Sequence, residues 1–186
     1  MDRTTRQAAL WATAVAVPLT LIVALLAIVA TRPGESPAAE PSPTAPRPQS
    51  TTPVAMDAPK LSERATVVCR ALVSQLPTAV RDLRLRPVTA GHEQNAAYGD
   101  PAITVSCGGP KATFPPTDQV FQLSRVCWHQ VDRAEATEWT TVDREVPVRV
   151  TVPKSYDGPA QWTTAFSNTV LGTVRSLQQI PTGCKP

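Results

Sequence analysis

Four cysteines and two histidines are the residues of this chain with the widest chemical range, and their spacing limits what they can do. Cys69, Cys107, Cys127 and Cys184 are even in number and contain no C-x-x-C pair, so neither a zinc ribbon nor a thioredoxin-like redox site fits. Two disulfides do fit, and they belong to an oxidising compartment. His129 stands two residues after Cys127, on the same face if the segment is extended; a metal pair of the two would require Cys127 to be reduced. His92, beside Glu93 in a turn-rich stretch, reads as a solvated loop histidine. The nucleophile elbow G-x-S-x-G is absent, and Gly108-Gly109 belongs to neither phosphate-binding glycine pattern. No catalytic residue, metal, cofactor or nucleotide site is expected.

Carboxylates and aromatic rings offer the remaining chemistry. Asp132, Glu135, Glu138 and Asp143 surround one expected hairpin and could flank a glycosidic bond, but Arg133 and Arg144 among them favour a solvated, charge-balanced turn. Tyr98, Trp128 and Trp139 form a candidate binding surface on which a sugar or peptide would stack. Packing inside the fold is the commoner fate of such rings, and of Trp162.

These residues sit in a chain of three compositions. Residues 8–30, AALWATAVAVPLTLIVALLAIVA, are 23 residues without a charge, enough at about 1.5 Å per residue to cross a hydrocarbon core of roughly 30 Å. An uncleaved signal-anchor is expected here, in preference to a leader cleaved at a small residue such as Ala30. Arg3 and Arg6 on one side are matched by Arg32 and Arg47 on the other, so charge alone does not orient the span. With all four thiols beyond it, the expected topology is a cytoplasmic tail over 1–7 and an extracytoplasmic domain, single-pass at the cell membrane. Residues 31–60 hold eight prolines in thirty positions and few large apolar side chains, the composition of an unfolded, polyproline-biased linker. Residues 61–186 are the foldable unit, with 13 basic and 11 acidic side chains. That near-neutrality excludes a nucleic-acid footprint.

Within the domain, Leu61, Ala65, Val68, Leu72 and Leu76 repeat at helical spacing after Ser62, a natural N-cap, and Pro77 closes the pattern. Ala102 to Cys107 alternates, with Ile103, Val105 and Cys107 on one face. Val120 to Val131 contains a longer strand, and Glu138 to Val142 pairs back onto it through the charged turn at 132–136. Val146, Val148, Val150 and Val152 alternate without exception with Pro147, Arg149, Thr151 and Pro153. Pro147 assigns that strand to a sheet edge or marks its first residue. From Pro159 to about Gln179 the period is helical again, entered at Asp157 or Gly158. The expected fold class is α+β: a two-layer domain of about four antiparallel strands bracketed by two helices. Three disulfide pairings are possible, and this element order favours Cys107–Cys127, between neighbouring strands, with Cys69–Cys184, between the opening helix and the tail.

The anchor, the Pro-rich spacer and the series Cys69-Arg70-Ala71-Leu72, Leu76-Pro77, Tyr98-Gly99-Asp100-Pro101, Cys107-Gly108, Cys127 and Thr151-Val152-Pro153 resemble an actinobacterial membrane-protein family, domain of unknown function three-five-one-five. The family's usual tryptophan before Gly-Asp-Pro is Tyr98 here. An arginine excess of 14 to 4 lysines suits a GC-rich genome and so agrees with that lineage. The resemblance implies location and fold and carries over no catalytic residue. The function expected is a non-enzymatic extracytoplasmic module that binds another envelope protein or a wall component. Two alternatives stand beside it. One is a small hydrolase or transferase, which needs two acids within about 10 Å in a cleft. The other is a structural subunit acting through its transmembrane helix, whose Ala-rich residues 8–16 permit close packing although G-x-x-x-G is absent.

Overall fold

The computed structural model describes residues 49–184. No helix among them is long and apolar enough to cross a membrane; the expected tail and span over 1–30, and the spacer to residue 48, lie outside the described residues.

The chain runs α1 (Glu63–Ser74), β1 (Ala79–Val80), β2 (Leu83–Arg86), β3 (Asn95–Tyr98), β4 (Ile103–Cys107), β5 (Val120–Leu123), β6 (Val126–Asp132), β7 (Ala136–Thr141), β8 (Val148–Pro153) and α2 (Pro159–Thr173). The strands form one eight-stranded sheet of order β1-β2-β3-β4-β8-β7-β6-β5, and every neighbouring pair is antiparallel. Two four-stranded meanders therefore meet at a β4–β8 seam. The α+β class holds, with twice the expected number of strands.

Both helices pack on one face of the sheet, α1 against β4 and α2 against β8, β5 and β6. Ser62 caps α1, its Oγ accepting from the Ala65 N–H at 3.2 Å, and Val68, Cys69 and Leu72 point into the core. Val148, Val150 and Val152 line the middle of the sheet on that face, beneath Trp162, Phe166 and Val170 of α2. Pro147 lies just before β8, which is a central strand. Neither expected placement is met: the proline stands one residue ahead of the strand, where its missing N–H interrupts no ladder bond of β8.

Four further expectations are corrected. The longer strand expected within Val120–Val131 is a tight hairpin of β5 and β6, turning at Ser124 and Arg125 with φ of 48° and 64°. Glycine and asparagine usually mark such a turn; here Arg144 Nη2 donates to the Arg125 carbonyl at 2.8 Å and holds it. The closing helix stops at Thr173 instead of Gln179 because residues 174–177 pair with 143–145. Glu145 N donates to Arg175 O and Leu177 N to Asp143 O, while Arg144 Nη1 reaches Ser176 Oγ at 2.7 Å.

The cysteines pair as Cys69–Cys107 and Cys127–Cys184, not as Cys107–Cys127 with Cys69–Cys184. Two strands, β8 and β7, separate β4 from β6, a distance of about 14 Å at roughly 4.8 Å per step. Cys107 also faces the helices with Val105, whereas Cys127 alternates with Trp128 and faces away. Cα separations of 5.4 and 5.7 Å in the observed pairs lie within the normal range.

Residues 49–60, expected to belong to the unfolded spacer, lie along the domain. Val54 bridges to Val88, with Val54 N donating to Pro87 O and Thr89 N to Val54 O, both at 2.9 Å. The half-buried Arg86 guanidinium donates to Thr52 O and Gly99 O at 2.7 Å and to Ser50 Oγ at 3.2 Å. A Pro-rich segment cannot build a core, but its carbonyls remain acceptors for a neighbouring domain.

Candidate functional site

The helices cover one face of the sheet, and what stands on the other follows from register. Asn95 is opposite Ser106, Ser106 opposite Arg149, Arg149 opposite Thr140, and Thr140 opposite His129. One polar row thus crosses five strands. Beside it, Thr104, Thr151 and Glu138 are successive partners on β4, β8 and β7.

Two segments stand over this face. The strap at 55–59 is held at the β3 side, where Asn95 Nδ2 donates to Asp57 O at 2.9 Å and Gln94 Nε2 to Pro59 O at 3.2 Å. The loop after β4 must travel from the middle of the sheet to β5 at its edge. On the way Phe114 stacks on His129 with centroids 4.2 Å apart, and Asp118 Oδ2 lies 3.1 Å from His129 Nε2. Between strap and loop is a groove of about 360 Å³ whose floor includes Asn95, Thr104, Ser106, Arg149 and Thr151.

Arg149 differs from the other enclosed arginines. Arg86 and Arg144 donate to several carbonyl and hydroxyl oxygens. The half-buried Arg149 makes one side-chain hydrogen bond, Nε to Thr140 Oγ1 at 3.3 Å, and among the described residues no carboxylate lies within 4.0 Å of it. Glu138, at the same groove, is held by Arg133 at 3.1 Å. Asn95 is 3% exposed and its Oδ1 has no donor among the described residues. A guanidinium with free N–H groups, a row of hydroxyls and an unmatched amide oxygen can bind a small polar ligand by hydrogen bonds and one charge.

The residues singled out by type are mostly elsewhere. Tyr98, Trp128 and Trp139 are at most 1% exposed, so they offer no face to a ligand. Tyr98 O–H donates to Pro77 O at 2.8 Å, and burial pushes its phenol well above the usual range. Trp128 Nε1 donates to Ser167 Oγ at 3.3 Å. Rings this large are the cheapest way to fill a layer between one sheet and two helices. Of the acids, Asp132 is paired with Lys154 at 2.6 Å, and hydrogen bonds from Lys154 and Thr137 hold its carboxyl below the usual range. Asp143 is buried beside Arg144 at the other end of β7; desolvation raises its carboxyl and the Arg144 charge opposes that rise. Cys127 is consumed by its disulfide, and His92 is exposed. Among the described residues no three His, Cys, Asp or Glu side chains gather as a metal site. Arg149, Thr104, Ser106 and Thr151 went unnoticed as site residues, although the polar halves of the two best-alternating strands carry them.

Fold and groove define a two-layer α+β domain whose helix-free sheet face is walled by its own N-terminal strap. A family model matches residues 15–179, and the chain belongs to that family, described as Protein of unknown function (DUF3515). No curated protein and no solved structure matches the chain.

Proposed function

We propose that this chain is a non-enzymatic binding module of the cell envelope, anchored through residues 8–30 with its domain on the extracytoplasmic side, and that the helix-free sheet face binds another envelope protein or a wall component. The observation that carries the reading is the groove over Thr104, Ser106, Arg149 and Thr151. Its floor is set by strand register and its wall by the strap, so it is formed before any ligand arrives. The two disulfides support the compartment, since such bonds persist in oxidising surroundings. The uncharged stretch at 8–30 is long enough to anchor it.

The test is a photo-crosslinking residue at Thr104, on the groove floor, compared with one at Val67, which is 63% exposed on α1, in cells that make the full chain. The reading expects a discrete adduct to an envelope component from position 104 only, and cleavage of the domain by protease added outside spheroplasts. Equal crosslinking from both positions, or a domain protected from external protease, contradicts it.

A further inference from the structure

We propose that the groove binds the C-terminal carboxylate of a short peptide segment, with Arg149 as the residue that receives the carboxylate; this rests on the binding-module reading and names its ligand class. Arg149 is the only cation among the groove's lining residues, which also include Asp57 and Glu138. A single guanidinium beside two carboxylates suits a monoanion better than a doubly charged phosphate. The bond from Arg149 Nε to Thr140 fixes the plane of the guanidinium and leaves both Nη groups for the two carboxylate oxygens.

The rest of the lining fits a peptide. Thr104, Ser106 and Thr151 present hydroxyls, each both donor and acceptor, beside Arg149, and an extended backbone offers N–H and C=O groups in alternation. The apolar wall consists of Ala55, Met56, Pro59 and Pro110, which accommodates small side chains. No aromatic ring lines the groove, so a sugar would have no platform on which to stack. Glu138 is tied to Arg133, so it does not occupy Arg149 in the ligand's place.

Saturation-transfer NMR titration of the full chain in detergent micelles tests this with three probes: acetyl-Ala-Ala-Ala with a free carboxylate, the same peptide as its C-terminal amide, and glucuronate as a carboxylate without a peptide. The free acid is expected to bind at least about tenfold more tightly than the amide, the worth of one charge-assisted hydrogen-bond pair. Arg149→Gln should reduce the acid to the affinity of the amide, and Arg149→Lys should restore part of the difference. Thr151→Val should weaken both peptides while keeping their ratio, which provides a second variant if Arg149→Gln does not fold. Equal binding of acid and amide, no binding of either peptide, or glucuronate binding alone overturns the proposal. If crosslinking from position 104 succeeds while the peptides fail, the module reading stands and this assignment falls; if the peptides bind but no envelope adduct forms, the ligand class stands and the envelope partner of the proposed function falls.

Discussion

On β8, Val148, Val150 and Val152 are fully buried under α2, while Arg149 and Thr151, one residue away each, stand on the side without helices. The same backbone thus serves two purposes that place opposite demands on side chains. The helix-covered face holds the large rings and the branched aliphatics, where stability comes from removing apolar area from water. The other face holds hydroxyls, an amide and a guanidinium, and what covers it is chain from outside the sheet: the strap, the loop after β4 and the C-terminal tail. Each face has its own disulfide, Cys69–Cys107 under α1 and Cys127–Cys184 where the tail returns to β6. Chemical type alone therefore does not locate the groove in this fold; the aromatic rings pack inside, and the groups that line the groove floor are polar residues at alternate strand positions.

Substitution across that divide gives the largest contrast. Val150→Asp is expected to prevent folding, because an unpaired carboxylate in the layer beneath α2 costs more than about 4 kcal/mol. Arg149→Gln, its neighbour, should stay within about 1 kcal/mol of the unaltered domain in urea unfolding. Similar losses at both positions would end the comparison. Replacing both cysteines of either bridge by serine should cost roughly 4 kcal/mol in the same measurement, since loops spanning 38 and 57 residues lose similar chain entropy. The face distinction predicts that loss of Cys127–Cys184 also frees residues 176–184 to exchange amide hydrogens, while loss of Cys69–Cys107 frees α1.

Arg144 sharpens the boundary between the tail and the sheet. It is 4% exposed and links Asp143, Val174, Ser176 and Arg125, so Arg144→Ala should destabilise by about 3–5 kcal/mol by leaving Asp143 buried and unpaired. The smallest effect is a pH slope. Burial raises the Asp143 carboxyl in the folded state, so between its ordinary and its raised value the folded chain holds a proton that the unfolded chain has released. Stability then falls as pH rises through that window and levels off above it. Asp143→Asn should remove this fall, and urea midpoints measured from pH 4 to 7, above the range in which Asp132 titrates, would show it.

Legibility in the sequence followed how far a signal was local. The valine alternation over 146–152 and the Ser62 cap depend on a few neighbouring residues, and both are found where the pattern places them. Strand β3, Asn-Ala-Ala-Tyr, contains residues depleted in strands and forms because Ala96, Ala97 and Tyr98 are enclosed by their partners. Likewise β1 and β2 are short and follow from pairing. The end of α2 was lost to competition from residues 143–145, a tertiary effect that helical periodicity does not carry. The cysteine pairing is not carried by local signals: the return of β8 between β4 and β7 is a matter of topology that separates Cys107 from Cys127, and the two also stand on opposite faces of the sheet. The groove was half legible, since Thr104, Ser106, Arg149 and Thr151 are the polar members of alternating strands, but its wall comes from a Pro-rich segment that composition assigns to a linker.

The division of the sheet into two separately locked faces is tested most directly by peptide mapping of the full chain, purified without reductant and with free thiols blocked at lysis. Linked peptides containing Cys69 with Cys107 and Cys127 with Cys184 are expected, with no blocked thiol. A Cys107–Cys127 peptide would put β4 and β6 side by side with both cysteines on one face, and four blocked thiols would remove the oxidising compartment; either result contradicts the account.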